Sequence, residues 1–195
     1  MRRVLVLLAA AALAGVIVIG LTQAGGSTET PGGTEPAAFE LDRARERLQG
    51  APAPLAALHA QSNQLLEGDP EAFEKRLRGL RGHPVVVNKW ASWCGPCRAE
   101  LPIFQSVSTE RGREIAFIGV NSRDERPAAE SFAVRYPVPY PSYEDPDEKI
   151  ARVLGVPSNF PVTVFIGADG ETAFVHQGGY GTRDKLVADI EAHLG

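Results

Sequence analysis

Hydrophobic and polar positions alternate regularly from residue 84 to the end of the chain. Short β-branched and apolar runs predict strands, and longer segments with one apolar side predict helices. The predicted strands cover 85–90, 115–121, 162–166 and 172–176, and the predicted helices cover 96–110, 126–136, 146–154 and 182–194. Alternating strands and helices, then a hairpin and a last helix, indicate an α/β sandwich with a mixed sheet.

The first 23 residues show a different pattern. Arg2 and Arg3 precede an uncharged, almost wholly apolar run over residues 4–21. As a helix this run would extend about 27 Å, close to the hydrocarbon thickness of a bilayer. It predicts an uncleaved signal anchor, a single transmembrane helix over 1–23, with cleavage after Ala24 and secretion as the alternative. The arginines before the span place the rest of the chain outside the cytoplasm.

Two more segments precede the α/β pattern. Residues 24–38 are rich in Gly, Thr, Pro and Glu without a hydrophobic period, which is typical of a flexible linker. Residues 39–83 contain three short helical patterns, at 39–49, 55–66 and 70–80. The predicted organisation is a signal anchor (1–23), a linker (24–38), a helical N-terminal extension (39–83) and an α/β domain (84–195).

Charge and cysteine content narrow the function classes. The chain has 195 residues and a formal net charge of -4, with no basic stripe that could neutralise a phosphate backbone, so nucleic acid is not an expected partner. Cys94 and Cys97 are the only two cysteines. In an oxidising compartment outside the cytoplasm, such a pair can form a disulfide.

The cysteine pair lies where the first predicted strand passes into a helix. A helix N-terminus supplies free backbone N–H groups and the positive end of the helix dipole, and both stabilise a thiolate. Cys94 is at that position, Pro96 suits the first helical turn, and Cys97 follows Cys94 by one turn. This arrangement favours thiol chemistry at Cys94, with Cys97 less exposed beneath it.

Three alternative roles for the cysteine pair are less well supported. A structural disulfide would close only a four-residue loop and would remove little entropy from the unfolded chain. A zinc site lacks further ligands, since the four histidines show no matching spacing and no second cysteine pair exists. Covalent haem attachment needs a histidine after the second cysteine, where this chain has Arg98.

Residues 87–102, with the sequence VNKWASWCGPCRAELP, resemble the active-site region of the thioredoxin superfamily. Within it, they are most similar to the membrane-anchored TlpA/ResA-like thiol-disulfide oxidoreductases. The resemblance covers 84–195 and implies a thioredoxin-like, three-layer α/β/α sandwich around a mixed sheet.

The resemblance also implies roles for individual residues. Cys94 would be the attacking thiolate and Cys97 the resolving thiol, so that the redox-active Cys94–Cys97 disulfide replaces any separate cofactor or metal. Pro161 matches the family's cis-proline, which faces the cysteine pair. The predicted substrate groove consists of Trp93, Gly95, Pro96, Phe160 and Pro161.

Three polar residues lie close to the cysteine pair in sequence, two on the first strand and one on the helix. Asn88 occupies the position of a buried aspartate in thioredoxins and cannot titrate. Glu100 matches a glutamate that takes a related proton-transfer role in ResA-like proteins; alternatively, it is an acid placed near the positive end of its helix. Lys89 points to the opposite face from Asn88 and is expected at the surface, with its ammonium in solvent.

The resemblance implies an extracytoplasmic enzyme that reduces protein disulfides and is re-reduced by a membrane electron-transfer protein. The expected partners are disulfide-containing exported proteins, including apocytochrome c during cytochrome c maturation. Three alternatives remain: an oxidase that donates disulfides to exported proteins, a peroxidase, and a thiol or copper-binding module without turnover. The only methionine is Met1, which disfavours copper handling.

Overall fold

A six-stranded sheet crosses residues 39–195, the part of the chain that this computed structural model describes. Its strands are β1 (Leu65–Leu66), β2 (Val85–Trp90), β3 (Ala116–Ser122), β4 (Ser142–Asp145), β5 (Val162–Ile166) and β6 (Thr172–Gln177). Their spatial order is β1-β4-β3-β2-β5-β6. Strand β2 is parallel to β3 and antiparallel to β5, which confirms the predicted mixed sheet.

Helices cover both faces of this sheet. They are α1 (Leu41–Arg47), α2 (Ala53–His59), α3 (Pro70–Gly79), α4 (Gly95–Arg111), α5 (Arg126–Arg135), α6 (Lys149–Val153) and α7 (Arg183–Leu194). One apolar cluster joins the sheet to α4, α5 and α7, and a second joins it to α2, α3 and α6. The result is a three-layer α/β/α sandwich with the sheet in the middle.

Strand β2 lies at the centre of the sheet and is buried along its whole length. Val86 and Trp90 belong to one apolar cluster, whereas Val85 and Val87 belong to the other. A strand covered on both faces has a nearly continuous apolar sequence, which explains its three successive valines. Only Asn88 and Lys89 interrupt this run, and both are buried.

The structure differs from the predicted elements in the N-terminal extension. The helix predicted over 55–66 ends at His59, and Leu65–Leu66 is instead a strand parallel to β4. Asn63, with a φ of 63°, lies between the two elements and accepts a hydrogen bond from the backbone N–H of Val138 through its side chain. Pairing with β4 thus outweighs the helix propensity of the two leucines. Strand β4 itself was not predicted.

Residues 39–195 form one compact unit, so the extension and the α/β domain share their cores. The predicted signal anchor and linker, residues 1–38, lie outside the described residues. Within 39–195, no helix is both long enough and apolar enough to traverse a bilayer. For the site, the important feature is that α4 begins directly after β2, at the edge where β2 and β3 both end.

Candidate active site

Cys94 and Cys97 are joined by a disulfide at the start of α4, with their Cα atoms 5.3 Å apart. Cys94 is the N-cap residue, and its sulfur accepts a hydrogen bond of 3.1 Å from the backbone N–H of Cys97. Pro96 lies in the first turn, where a missing N–H leaves no helical hydrogen bond unmade. Helix α4 therefore directs free N–H groups and its positive dipole end at the sulfur of Cys94.

The loop after β3 holds the residues before the cysteines. The Asp124 carboxylate accepts hydrogen bonds from the backbone N–H of Ser92 (2.5 Å) and from its hydroxyl (2.8 Å). The indole N–H of Trp93 donates to the carbonyl oxygen of Arg123 over 2.9 Å. These bonds fix Trp93 next to Cys94, although 55% of its surface remains exposed.

The predicted groove residues come together beside the disulfide. The Phe160–Pro161 peptide bond is cis, and the rings of Phe160 and Trp93 meet edge to face with centroids 5.0 Å apart. A Cβ atom at Gly179 would lie 3.6 Å from Pro96 Cβ and 3.7 Å from Pro161 Cγ. The glycine therefore lies between the two prolines, and a Cβ there would be in ordinary van der Waals contact with both. Gly95 and Pro96 are exposed at the same end of α4.

Glu100 lies one helical turn after Cys97 and is fully buried. One carboxylate oxygen accepts a hydrogen bond from the Asn88 amide (2.8 Å), and the other accepts one from the backbone N–H of Tyr180 (3.0 Å). Burial raises the pKa of Glu100 to about 7, although both hydrogen bonds act in the opposite direction. A carboxyl that titrates near neutrality on the face of α4 shared with Cys97 can exchange protons there.

The raised pKa of Glu100 makes the free energy of unfolding depend on pH. Because the pKa of Glu100 rises from 4.5 to about 7 on folding, its contribution is complete below pH 4.5 and is lost as the pH rises through 7. The loss amounts to about 3 kcal/mol, taking ~1.4 kcal/mol per pKa unit. We expect Glu100→Gln, which cannot titrate, to gain stability relative to the wild type by about this amount between pH 4 and pH 8.

Urea unfolding of the oxidised protein at both pH values measures this difference. Glu46→Gln is the matched control, since Glu46 is exposed on α1 and the same substitution there leaves the buried site untouched. Parallel pH curves for the wild type and Glu100→Gln would mean that the carboxyl of Glu100 has an ordinary pKa in the folded protein.

The sequence predicted Lys89 at the surface with its ammonium in solvent, and this prediction is wrong. Its side chain does point away from Asn88, but that face of the sheet is covered, and Lys89 is only 1% exposed. Its ammonium contacts Glu148 and the carbonyl oxygen of Pro157 instead of solvent. Trp90, the next residue of β2, packs in the core and stacks on Phe132.

Sequence reasoning missed Asp124 and Tyr180. Asp124 could have been found, because loops that follow neighbouring parallel strands meet at one edge of the sheet, and β2 and β3 end there. Tyr180 contacts Glu100 through its backbone N–H. Since every residue except proline has this group, the sequence carries no signal for that contact.

The chain matches one protein family over most of its length. Residues 49–194 match the model of the family described as Redoxin. Thiol-disulfide oxidoreductase ResA of Geobacillus kaustophilus is 33% identical over 129 residues, which are 65% of this chain and 70% of that protein. Thiol:disulfide interchange protein DsbE of Allochromatium vinosum is 39% identical over 116 residues, which are 59% of this chain and 57% of that protein.

A solved structure shows the same fold. A secreted disulfide oxidoreductase of Mycobacterium tuberculosis, described as homologous to E. coli DsbE, superposes with a TM-score of 0.53 at 28% identity, covering 59% of this chain and 85% of that one. The fold and the comparisons define a thiol-disulfide oxidoreductase of the thioredoxin superfamily. The chain belongs to the Redoxin family and is similar to ResA of Geobacillus kaustophilus and DsbE of Allochromatium vinosum.

Proposed function

We propose that this chain is an extracytoplasmic reductase of protein disulfides that works through the dithiol of Cys94 and Cys97. The observation that carries the proposal is the disulfide at the N-terminus of α4, beside the groove of Trp93, Phe160 and Pro161. An exposed aromatic edge next to a reactive sulfur suits an extended segment of a partner protein. The Gly95-Pro96 pair between the cysteines is that of thioredoxin, which is a reductant.

The reaction consists of two exchanges. In the reduced enzyme, the Cys94 thiolate attacks one sulfur of the substrate disulfide, and the other substrate sulfur leaves as a thiolate. The Cys97 thiol then gives up its proton, and its sulfur attacks Cys94. This step forms the Cys94–Cys97 disulfide and releases the second substrate thiolate, so that two electrons pass to the substrate. Glu100, one turn from Cys97, is the proposed acceptor of that proton.

The proposed cellular setting rests on the sequence and on the relatives. The apolar run at 4–21 with its preceding arginines favours a single N-terminal membrane span and an extracytoplasmic domain. The substrates would be exported proteins with disulfides, and apocytochrome c is the specific candidate from the resemblance to ResA-like proteins. A membrane electron-transfer protein would regenerate the dithiol.

The reduction potential of the cysteine pair tests the direction of electron flow. We expect a value near or below about -220 mV when the full-length protein, kept in detergent, is equilibrated with a glutathione or dithiothreitol buffer at neutral pH. A value near about -120 mV would make the protein an oxidant that installs disulfides. Turnover of insulin disulfides separates an enzyme, whether reductase or oxidase, from a copper-binding module without turnover. Zero turnover together with tight copper binding would overturn the enzymatic proposal.

A further inference from the structure

Lys89 is a buried cation in the central strand of the sheet. It is the last residue but one of β2, where every residue is buried, and only 1% of its surface is exposed. Removing an ammonium from water is costly unless partners replace its hydration. The position is therefore informative, because an apolar residue would fill it without this cost.

The contacts of Lys89 all lead to one side of the site. Its ammonium donates to a carboxylate oxygen of Glu148 over 2.8 Å and to the carbonyl oxygen of Pro157 over 3.0 Å. It also lies 4.2 Å from the centroid of the Phe160 ring, in cation–π geometry. Pro157 and Phe160 belong to the loop between α6 and β5, which ends at the cis bond of Pro161.

Glu148 adds a second connection to the same loop. It precedes α6 as its N-cap residue, and its other carboxylate oxygen accepts a hydrogen bond of 3.1 Å from the hydroxyl of Ser158. Burial acts to raise the pKa of Glu148. The hydrogen bond and the charge of Lys89, with smaller contributions from Ser158 and Arg123, together outweigh it, so that the pKa lies below its usual value. The ionised carboxylate thus joins Lys89 to Ser158 across the loop.

Phe160 connects the buried ammonium of Lys89 to the groove beside Cys94. One side of its ring contacts the Lys89 ammonium, and its ring also meets Trp93 at a centroid distance of 5.0 Å. Trp93 is held in turn by the carbonyl oxygen of Arg123. A continuous chain of contacts therefore runs from the strand interior to the exposed indole beside Cys94.

We propose that Lys89 is a positioning residue for substrate specificity, which holds residues 157–160 so that Phe160 and Trp93 form one fixed wall of the groove. The inference rests on the proposed function, in which a segment of a protein disulfide lies along this wall. A small disulfide reaches Cys94 without contacting this wall. Lys89 should therefore affect the binding of proteins and leave the intrinsic reactivity of Cys94 unchanged.

Lys89→Met tests this, because methionine keeps the unbranched side chain and removes the charge. With the full-length protein, reduced by dithiothreitol, we expect KM for insulin to rise by about tenfold with a much smaller change in kcat, since the wall is misplaced and the cysteines are not. The rate at which the reduced enzyme attacks a small aromatic disulfide should be unchanged. Arg43→Met is the matched control, because it removes a cation from the exposed ion pair with Glu40.

Fluorine NMR gives a readout that loss of stability alone would not move. The chain has two tryptophans, so 5-fluorotryptophan gives two resonances, which Trp93→Phe assigns. Lys89→Met should shift the resonance of Trp93 and leave that of Trp90, which packs in the core. If Lys89→Met does not fold, Ser158→Ala decides the question, since it breaks one connection to Glu148 at an exposed hydroxyl and should shift the same resonance to a smaller extent.

The outcomes separate the two proposals. A wild-type enzyme that does not reduce insulin overturns the proposed function, and the Trp93 resonance then still reports whether Lys89 positions the wall. An active wild type with an unchanged KM and an unchanged Trp93 resonance in Lys89→Met overturns the role of Lys89. An equal loss of rate on insulin and on the small disulfide overturns it as well, because it would indicate an effect on the cysteines.

Discussion

The Cys94→Ala variant is expected to lose turnover of protein disulfides by at least about 10³-fold, because no other group can form the covalent intermediate. Cys94 is the N-cap of α4, and the backbone N–H of Cys97 points at its sulfur. Cys97→Ala keeps that N–H and the helix. It should attack substrate once at a rate close to that of the wild type and then remain joined to it through Cys94.

Intact-protein mass spectrometry after mixing with insulin detects this difference. Cys97→Ala should carry one mixed disulfide per chain, and Cys94→Ala should carry none. The site of the adduct is unambiguous, because the chain has two cysteines and each variant keeps one. Ala99→Ser, at an exposed position of the same helix, is the control for substitution in α4. Release of substrate by Cys97→Ala at the wild-type rate would contradict the resolving role of Cys97.

The parts of the site that the sequence predicts are those encoded within a few residues. Cys94 precedes α4 as its N-cap, and Cys97 and Glu100 lie in its first turns, so the i,i+3 spacing alone places Glu100 one turn after Cys97 on the same face. The role of Glu100 was implied by the resemblance. Trp93, Gly95 and Pro96 are neighbours of the cysteines in sequence. Pro161 lies 64 residues after Cys97. Its place in the groove was predicted from the resemblance, since periodicity gives no information on a cis bond.

The parts that local patterns cannot predict depend on what covers each face. For Lys89, period two gives the correct side of β2, but the pattern does not show that α6 and the 157–160 loop close over that side. Leu65–Leu66 shows the same limit, because these residues suit a helix until β4 offers a partner strand. Only the tertiary structure decides both cases.

The second large effect is expected at Glu100, the proposed acceptor of the Cys97 proton. In Glu100→Gln we expect the resolving step, attack of Cys97 on the mixed disulfide, to slow by about 100-fold at pH 8, which is the low end for loss of a general base. The wild-type rate should rise with pH through about 7, as Glu100 becomes ionised. That rise should be missing in the variant, and the two rates should converge near pH 5, where Glu100 is protonated.

The surroundings of Glu100 make glutamine a suitable replacement. The carbonyl oxygen of the introduced glutamine can accept a hydrogen bond from the backbone N–H of Tyr180. The amide of the glutamine can donate to the side-chain oxygen of Asn88 once the Asn88 side-chain amide has rotated. In the described part of the chain this Asn88 oxygen is buried and has no hydrogen-bond partner. The substitution therefore removes the titrating proton while both hydrogen bonds remain satisfied, so an altered rate reports proton transfer instead of a disrupted core.

Stopped-flow measurement of mixed-disulfide decay from pH 5 to pH 9 provides the test. The first step, attack by Cys94, should be nearly unchanged in Glu100→Gln, because this carboxyl lies one turn beyond the resolving cysteine. Glu46→Gln again serves as the exposed control. A variant that keeps the rise near pH 7 would show that another group accepts the proton of Cys97, and Glu100 would then be a buried acid without a part in the reaction.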